Sequence, residues 1–161
     1  KKQWDTVVSE LKTLCTYAEE HGVYLCIEIM NRFATDFLNT CADAIQLLND
    51  VNSNYLTIHL DTFHMNIEEN SMAMAILDAG DKLFNFHVAD NHRGIPGTGT
   101  IDWTSIRNAL NRINYNRYIV IESFLPNVLV NGSVASIWRP FAKSSDEFAE
   151  KSLQFLKALF Q

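Results

Sequence analysis

Glu28, Asp61, His87 and Glu122 have types and spacings that suit chemistry on a divalent cation. Each closes a short apolar run: Val23–Glu28, Tyr55–Asp61, Leu83–His87 and Tyr118–Glu122. Successive candidates stand 33, 26 and 35 residues apart, about one strand-plus-helix unit each. Three carboxylates and one imidazole make a hard, oxygen-rich donor set. Such a set favours Mn2+, Mg2+ or Co2+ over a thiolate-type zinc site. Three carboxylates converging in an apolar setting repel one another, and a bound cation removes that cost. A lone acid after a strand is ordinarily a helix cap or a solvated loop residue. It is the recurrence at four successive run ends that points to a shared metal site.

Bringing four such groups together requires strands that share one sheet. Trp4, Val7, Leu11, Leu14 and Ala18 fall at helical spacing and predict a helix from Trp4 to Glu20, ended by Gly22. Thr40 caps a helix through Ala44, Ile45, Leu47 and Leu48, and another runs through Met72, Ala75, Ile76 and Leu77 to Gly80. Asp102 and Ser105 start a helix that reaches about Ile113. A long loop with Pro126, Gly132 and Pro140 then leads to Ser144–Glu147, a capping box opening the last helix. The order is α-βα-βα-βα-βα. Alternation of this kind predicts a parallel sheet, and near-continuous apolar runs suit strands covered on both faces. In parallel α/β folds ligands bind at the carboxyl ends of the strands, where all four candidates lie. The expected fold is therefore α/β: a single domain over residues 1–161, with about four βα units forming a half-barrel, preceded by a helix.

Length and composition bound the rest. A chain of 161 residues can build a core, but a complete barrel of eight βα units takes about 250 residues. The formal charge of −6 is interspersed, with no basic stripe, so nucleic acid is not an expected partner. No apolar stretch approaches the roughly 20 residues of a membrane span. Cys15, Cys26 and Cys41 are odd in number and form no CxxC pair, which reads as reduced thiols in a cytoplasm. The chain begins at Lys1 without Met, which favours a fragment or a processed chain. Four βα units leave two unpaired sheet edges and no opposite wall. The half either belongs to a longer barrel, dimerises to close, or stands alone under its helices. The expectation is a homodimer or completion by the missing half.

The segments around the four run ends resemble a known family. EIMNRF (Glu28–Phe33), HLDTFHMNIEE (His59–Glu69), FHVADNHR (Phe86–Arg93), GTGTIDW (Gly97–Trp103) and IVIE (Ile119–Glu122) are similar to the ketose 3-epimerases. These are the D-tagatose and D-psicose 3-epimerases of the xylose-isomerase-like TIM barrel superfamily. The likeness is strongest from Val23 to Phe124 and corresponds to the last four βα units of that barrel. It implies that Glu28, Asp61, His87 and Glu122 bind Mn2+ or a similar ion, and that His64 and Arg93 hold the oxygens of a sugar. At Ala34 the chain departs from the pattern, because related members commonly carry an acidic, substrate-binding residue six after the metal Glu.

The implied reaction inverts C3 of a ketose. A divalent ion stabilises the enediolate formed on proton loss. Glu28 and Glu122 lie on the first and last of the four strands and so reach opposite faces of the sugar as catalytic groups, one taking the proton and the other returning it. Alternatives within the superfamily are a sugar-phosphate epimerase, with Gly94–Gly99 as an anion loop, or an aldose–ketose isomerase. An inactive metal-binding half-barrel is the alternative from another class. Taken alone, His64 reads equally as a loop histidine, and Arg93 as a surface partner of Asp90 or Asp102. His59 shares strand parity with Asp61 and reads as a core histidine with a partner; His21 and His92 read as exposed. Asn31 and Arg32 are loop polar groups or supports for Glu28. Phe33, Phe37, Phe63, Phe124 and Trp103 read mainly as core, with some available as an apolar wall beside a sugar.

Overall fold

The short, near-continuous apolar runs form strands, four of them, all parallel. They are β1 (Leu25–Glu28), β2 (Leu56–Asp61), β3 (Leu83–Val88) and β4 (Ile119–Ile121), paired in chain order. The computed structural model describes residues 1–124, 126 and 137–161, so Gly132 of the expected loop lies outside the described residues. Around the sheet lie α1 (Lys2–Glu20), α2 (Cys41–Val51), α3 (Thr62–Glu68), α4 (Met72–Ala79), α5 (Trp103–Arg112) and α6 (Ser145–Phe160). This is the half-barrel architecture. Among the described residues, β1 and β4 are each paired along one side.

The strands split their residues between two faces. Leu56, Ile58 and Leu60 of β2 and Phe86 and Val88 of β3 are fully buried and share one core with Ala44 and Leu47 of α2 and Ile76 of α4. Each buried Leu, Ile, Val or Phe side chain stabilises the fold by about 1.5–3 kcal/mol. The alternate positions, Glu28, Thr57, His59, Asp61, Asn85 and His87, are polar. A bulge between Ile58 and His59 matters here. Ile58 pairs with Leu83, so an unbroken register would set Asp61 opposite Phe86, on the wrong face. With the bulge, Asp61 is opposite His87 and His59 opposite Asn85.

Helix starts follow from the predicted caps. Thr40 and Asp43 form a reciprocal capping box, Asp102 accepts from Ser105 N at 3.1 Å, and Ser144 Oγ accepts from Glu147 N at 3.1 Å. The short α3 is a departure from the sequence reading. It begins directly after β2, with Asp61 as its N-cap accepting from Phe63 N at 2.8 Å. Leu14, expected on the apolar stripe of α1, is 52% exposed, while Cys15 and Ala18 carry the buried face.

Candidate functional site

The four strand ends converge. Ligand atoms of Glu28, Asp61, His87 and Glu122 all lie within 4.8 Å of one another. Metal–donor distances of about 2.1 Å put donors on opposite sides of one ion about 4.2 Å apart, so the set fits a single cation. Glu122 lies one residue past β4, and its N–H donates to Val88 O at 3.1 Å, which continues the ladder and fixes its place beside His87.

A chain of polar contacts ties three of these groups together. Asp61, fully buried, takes Phe63 N–H on one oxygen and Arg93 Nη1 on the other, the latter at 2.5 Å. Arg93 Nη2 lies 2.7 Å from Glu122 Oε1, and Glu122 Oε2 lies 2.5 Å from His87 Nδ1. His87 Nε2 meets the Asn85 amide at 3.0 Å. Arg93 is therefore no surface residue, as a pairing with Asp90 or Asp102 would require. It is 4% exposed, and its guanidinium bridges two of the clustered carboxylates, lying 4.7 Å from the Phe63 ring centroid and 5.7 Å from that of Phe124.

The backbone that presents Arg93 is unusual. Its φ of +64° is in the left-handed region, which costs a non-glycine residue free energy unless its surroundings impose it. Arg93 N donates to Asp90 O at 2.8 Å, Asp90 N to Gly94 O at 3.0 Å, and Ser123 Oγ to Arg93 O at 2.5 Å. Sequence reasoning missed the organiser of this loop, Asp90. Its fully buried carboxylate accepts from Asn91 N at 2.9 Å, Gly97 N at 2.8 Å, Ile101 N at 3.4 Å and Trp103 Nε1 at 3.1 Å. Burial works to raise this carboxyl, but the donors outweigh it and hold it below the usual carboxylate range. A side chain at Gly99 would run into Asp90 itself: an added Cβ would stand 2.1 Å from Asp90 Oδ1. The glycines here let the backbone close round an acid.

His64 lies in the first turn of α3. Its Nδ1 accepts from Asn31 N at 3.2 Å, so the neutral ring carries its proton on Nε2, which stands 3.8 Å from Glu28 Oε1. Asn31 thus orients His64 and not Glu28, and Arg32 pairs with Glu68 at 2.8 Å. Thr62 was also missed: its hydroxyl donates to Ala89 O and accepts from Ala89 N, pinning the end of β2 to that of β3. Ala34 and Phe33 are exposed, so Phe33 is no core residue. His59 is buried and faces inward as its parity required, but its Nε2 has no hydrogen-bond partner among the described residues, contrary to expectation.

Electrostatics marks the cluster as strained in charge. Burial, then the charges of Glu122 and Asp61, push the Glu28 carboxyl up. Burial also raises Asp61 against the pull of Arg93. Glu122 goes the other way: burial opposes it, but the His87 hydrogen bond and the Arg93 charge bring it down to about 2. A cation at the centre would relieve the repulsion that Arg93 offsets for two of the three acids.

The profile of the xylose isomerase-like TIM barrel family matches residues 1–159. The chain belongs to that family. Among curated members it is 39% identical over 158 residues to a D-psicose 3-epimerase of Enterocloster bolteae, covering 95% of this chain and 52% of that one. It is 38% identical over 152 residues to an L-ribulose 3-epimerase of Methylomonas sp., covering 93% and 53%. A crystal structure of a D-allulose 3-epimerase from Methylomonas sp. superposes with a TM-score of 0.92 at 36% identity, covering 99% of this chain and 56% of that one. The chain thus spans about half the length of the family members it matches.

Proposed function

We propose that this chain is the metal-binding half of a ketose 3-epimerase, with Glu28, Asp61, His87 and Glu122 holding one divalent cation, Mn2+ by preference. The observation that carries the reading is the convergence of those four ligand atoms in a family member whose relatives are named as ketose 3-epimerases. The held cation would supply Lewis-acid polarisation of the ketose oxygens. Glu28 and Glu122 come from the two outer strands, and they take and return the C3 proton from opposite sides of the sugar. His64 presents an Nε2–H donor and Arg93 a guanidinium fork, both suited to oxygens that gain negative charge. Ala34 leaves the sugar one acidic contact short.

A phosphorylated sugar fits less well. Of the Gly94–Gly99 loop that might have cradled a phosphate, Gly97 N–H is spent on Asp90, whose own charge repels anions. The one-sided pairing of β1 and β4 adds a condition: the sugar needs a wall opposite these strands, from a second copy of the chain or from further polypeptide. A metal-binding half-barrel without turnover is the reading to set against the enzyme.

One experiment separates them. The chain is incubated with Mn2+ and D-psicose or L-ribulose in deuterated water, and deuterium at C3 is read by NMR. Exchange in the wild type and its loss by at least 100-fold in Glu122→Gln support the two-carboxylate scheme; near wild-type exchange in the variant overturns it. Tight Mn2+ binding with no exchange by the wild type favours the scaffold. Light scattering at micromolar concentration tests closure by a second copy, with a dimer expected.

A further inference from the structure

His59 lies two residues before Asp61 on the same face of β2, opposite Glu28 in the β1–β2 register. A ring nitrogen of His59 lies within 4.8 Å of ligand atoms of both Glu28 and His87, and the His59 and His87 rings are 3.9 Å apart, edge to face. His59 is 8% exposed, and its Nε2 is buried without any partner among the described residues. An imidazole nitrogen left bare in a sheet interior is costly unless something pairs with it. Nothing in the proposed epimerisation uses this ring.

We propose that the inner face holds a second cation position, Glu28–His59–His87, which overlaps the acidic one and takes a borderline divalent ion such as Zn2+. The proposal rests on the reading of this cluster as a cation site, and it separates two ions by ligand chemistry. Two imidazoles and one carboxylate, with a fourth place open, are the donor set of many tetrahedral zinc sites. Zn2+ also binds nitrogen donors far more strongly than Mn2+ does. The acidic set, with three carboxylates, discriminates less. Because both positions draw on Glu28 and His87, an ion in one withdraws two ligands from the other. Occupation is therefore exclusive, and Zn2+ at the nitrogen-rich position displaces the harder ion from the acidic one.

The test is calorimetric titration of the EDTA-treated full chain with Zn2+ and, separately, Mn2+, in wild type and His59→Leu, with folding checked by circular dichroism. The expected result is a Zn2+ affinity at least tenfold weaker in the variant, with Mn2+ affinity changed less than threefold. Wild-type chain preloaded with Zn2+ should leave added Mn2+ free, as read by its electron paramagnetic resonance signal. Unchanged Zn2+ affinity in the variant overturns the proposal. So does an equal loss for both ions, since His59 would then serve the cluster as a whole. His59→Gln, which keeps the site polar, gives the same comparison if the Leu variant does not fold. Failure of wild type to bind Mn2+ would count against the acidic site, whereas the Zn2+ comparison bears on His59 by itself.

Discussion

On β2 and β3 the residues facing the helices are Leu56, Ile58, Leu60, Phe86 and Val88, all with zero exposure; those alternating with them are Thr57, His59, Asp61, Asn85 and His87. The two faces belong to the same strands and differ by one residue of register. The helix-facing side is filled by apolar side chains whose removal costs free energy under all conditions. The inward side gathers charges that oppose one another, offset in part by Arg93. Stability on this second face depends on what is bound and on pH, whereas on the first it does not. The bulge at Ile58/His59 keeps the faces apart, because it returns Asp61 to the side of His87.

The largest effect expected from this contrast is on the helix-facing side. Phe86 has no exposed surface and belongs to the shared core. Phe86→Ala should cost about 3–5 kcal/mol in urea denaturation, by lost transfer and by the cavity left behind. The loss should be the same with and without Mn2+ once binding is allowed for. A loss under 1 kcal/mol would mean that the core is not packed as described.

Asp90 lies in the loop after β3, and its carboxylate ties that loop to Trp103 at the start of α5. Asp90→Asn keeps the size but turns one acceptor into a donor facing N–H groups, so stability should fall by about 2 kcal/mol near pH 7. The carboxyl is depressed in the folded state, so its contribution is present above the ordinary value of 3.8 and is lost as pH falls through the lower folded value. The gap between wild type and variant should therefore be constant from pH 7 to pH 5 and close below 3.8. A gap that widens on acidification would contradict the ionised, donor-ringed state.

How much of this was legible in the sequence depended on whether the signal was periodic. The four strand ends could be read because alternation and apolar runs place a residue on a face without knowledge of its neighbours. Inward parity of His59 came from the same rule, but the absence of a partner for its Nε2 did not, since that depends on what the rest of the fold brings near. Helix α3 was missed because Asp61 is both the last residue of β2 and the cap of the helix, leaving no loop to announce it. Residue chemistry alone leaves Arg93 open between the site and a surface pairing with Asp90 or Asp102, and only the resemblance implies a place in the site. Asp90 collects donors from Asn91 to Trp103, a pattern with no period at all.

The smallest effect tests the inward face most directly, because its sign should reverse. Burial and the neighbouring acids raise the Glu28 carboxyl, so without metal folding favours its neutral form more than the unfolded chain does. That preference contributes stability in full below the ordinary value of 4.5, and it is lost as pH rises through the raised folded value. Glu28→Gln is neutral at every pH. Without metal it should match wild type near pH 4 and exceed it at pH 7.5, by up to about 1 kcal/mol given the partial exposure of the side chain. With Mn2+ in excess the order should invert, because the variant lacks a carboxylate proposed to hold the ion and so gains less from it. Thermal melts at two pH values, with and without Mn2+, give all four points. If the variant is the less stable protein at pH 7.5 in EDTA, repulsion among the acids is not what the cation relieves, and the contrast between the two faces fails where it is most specific.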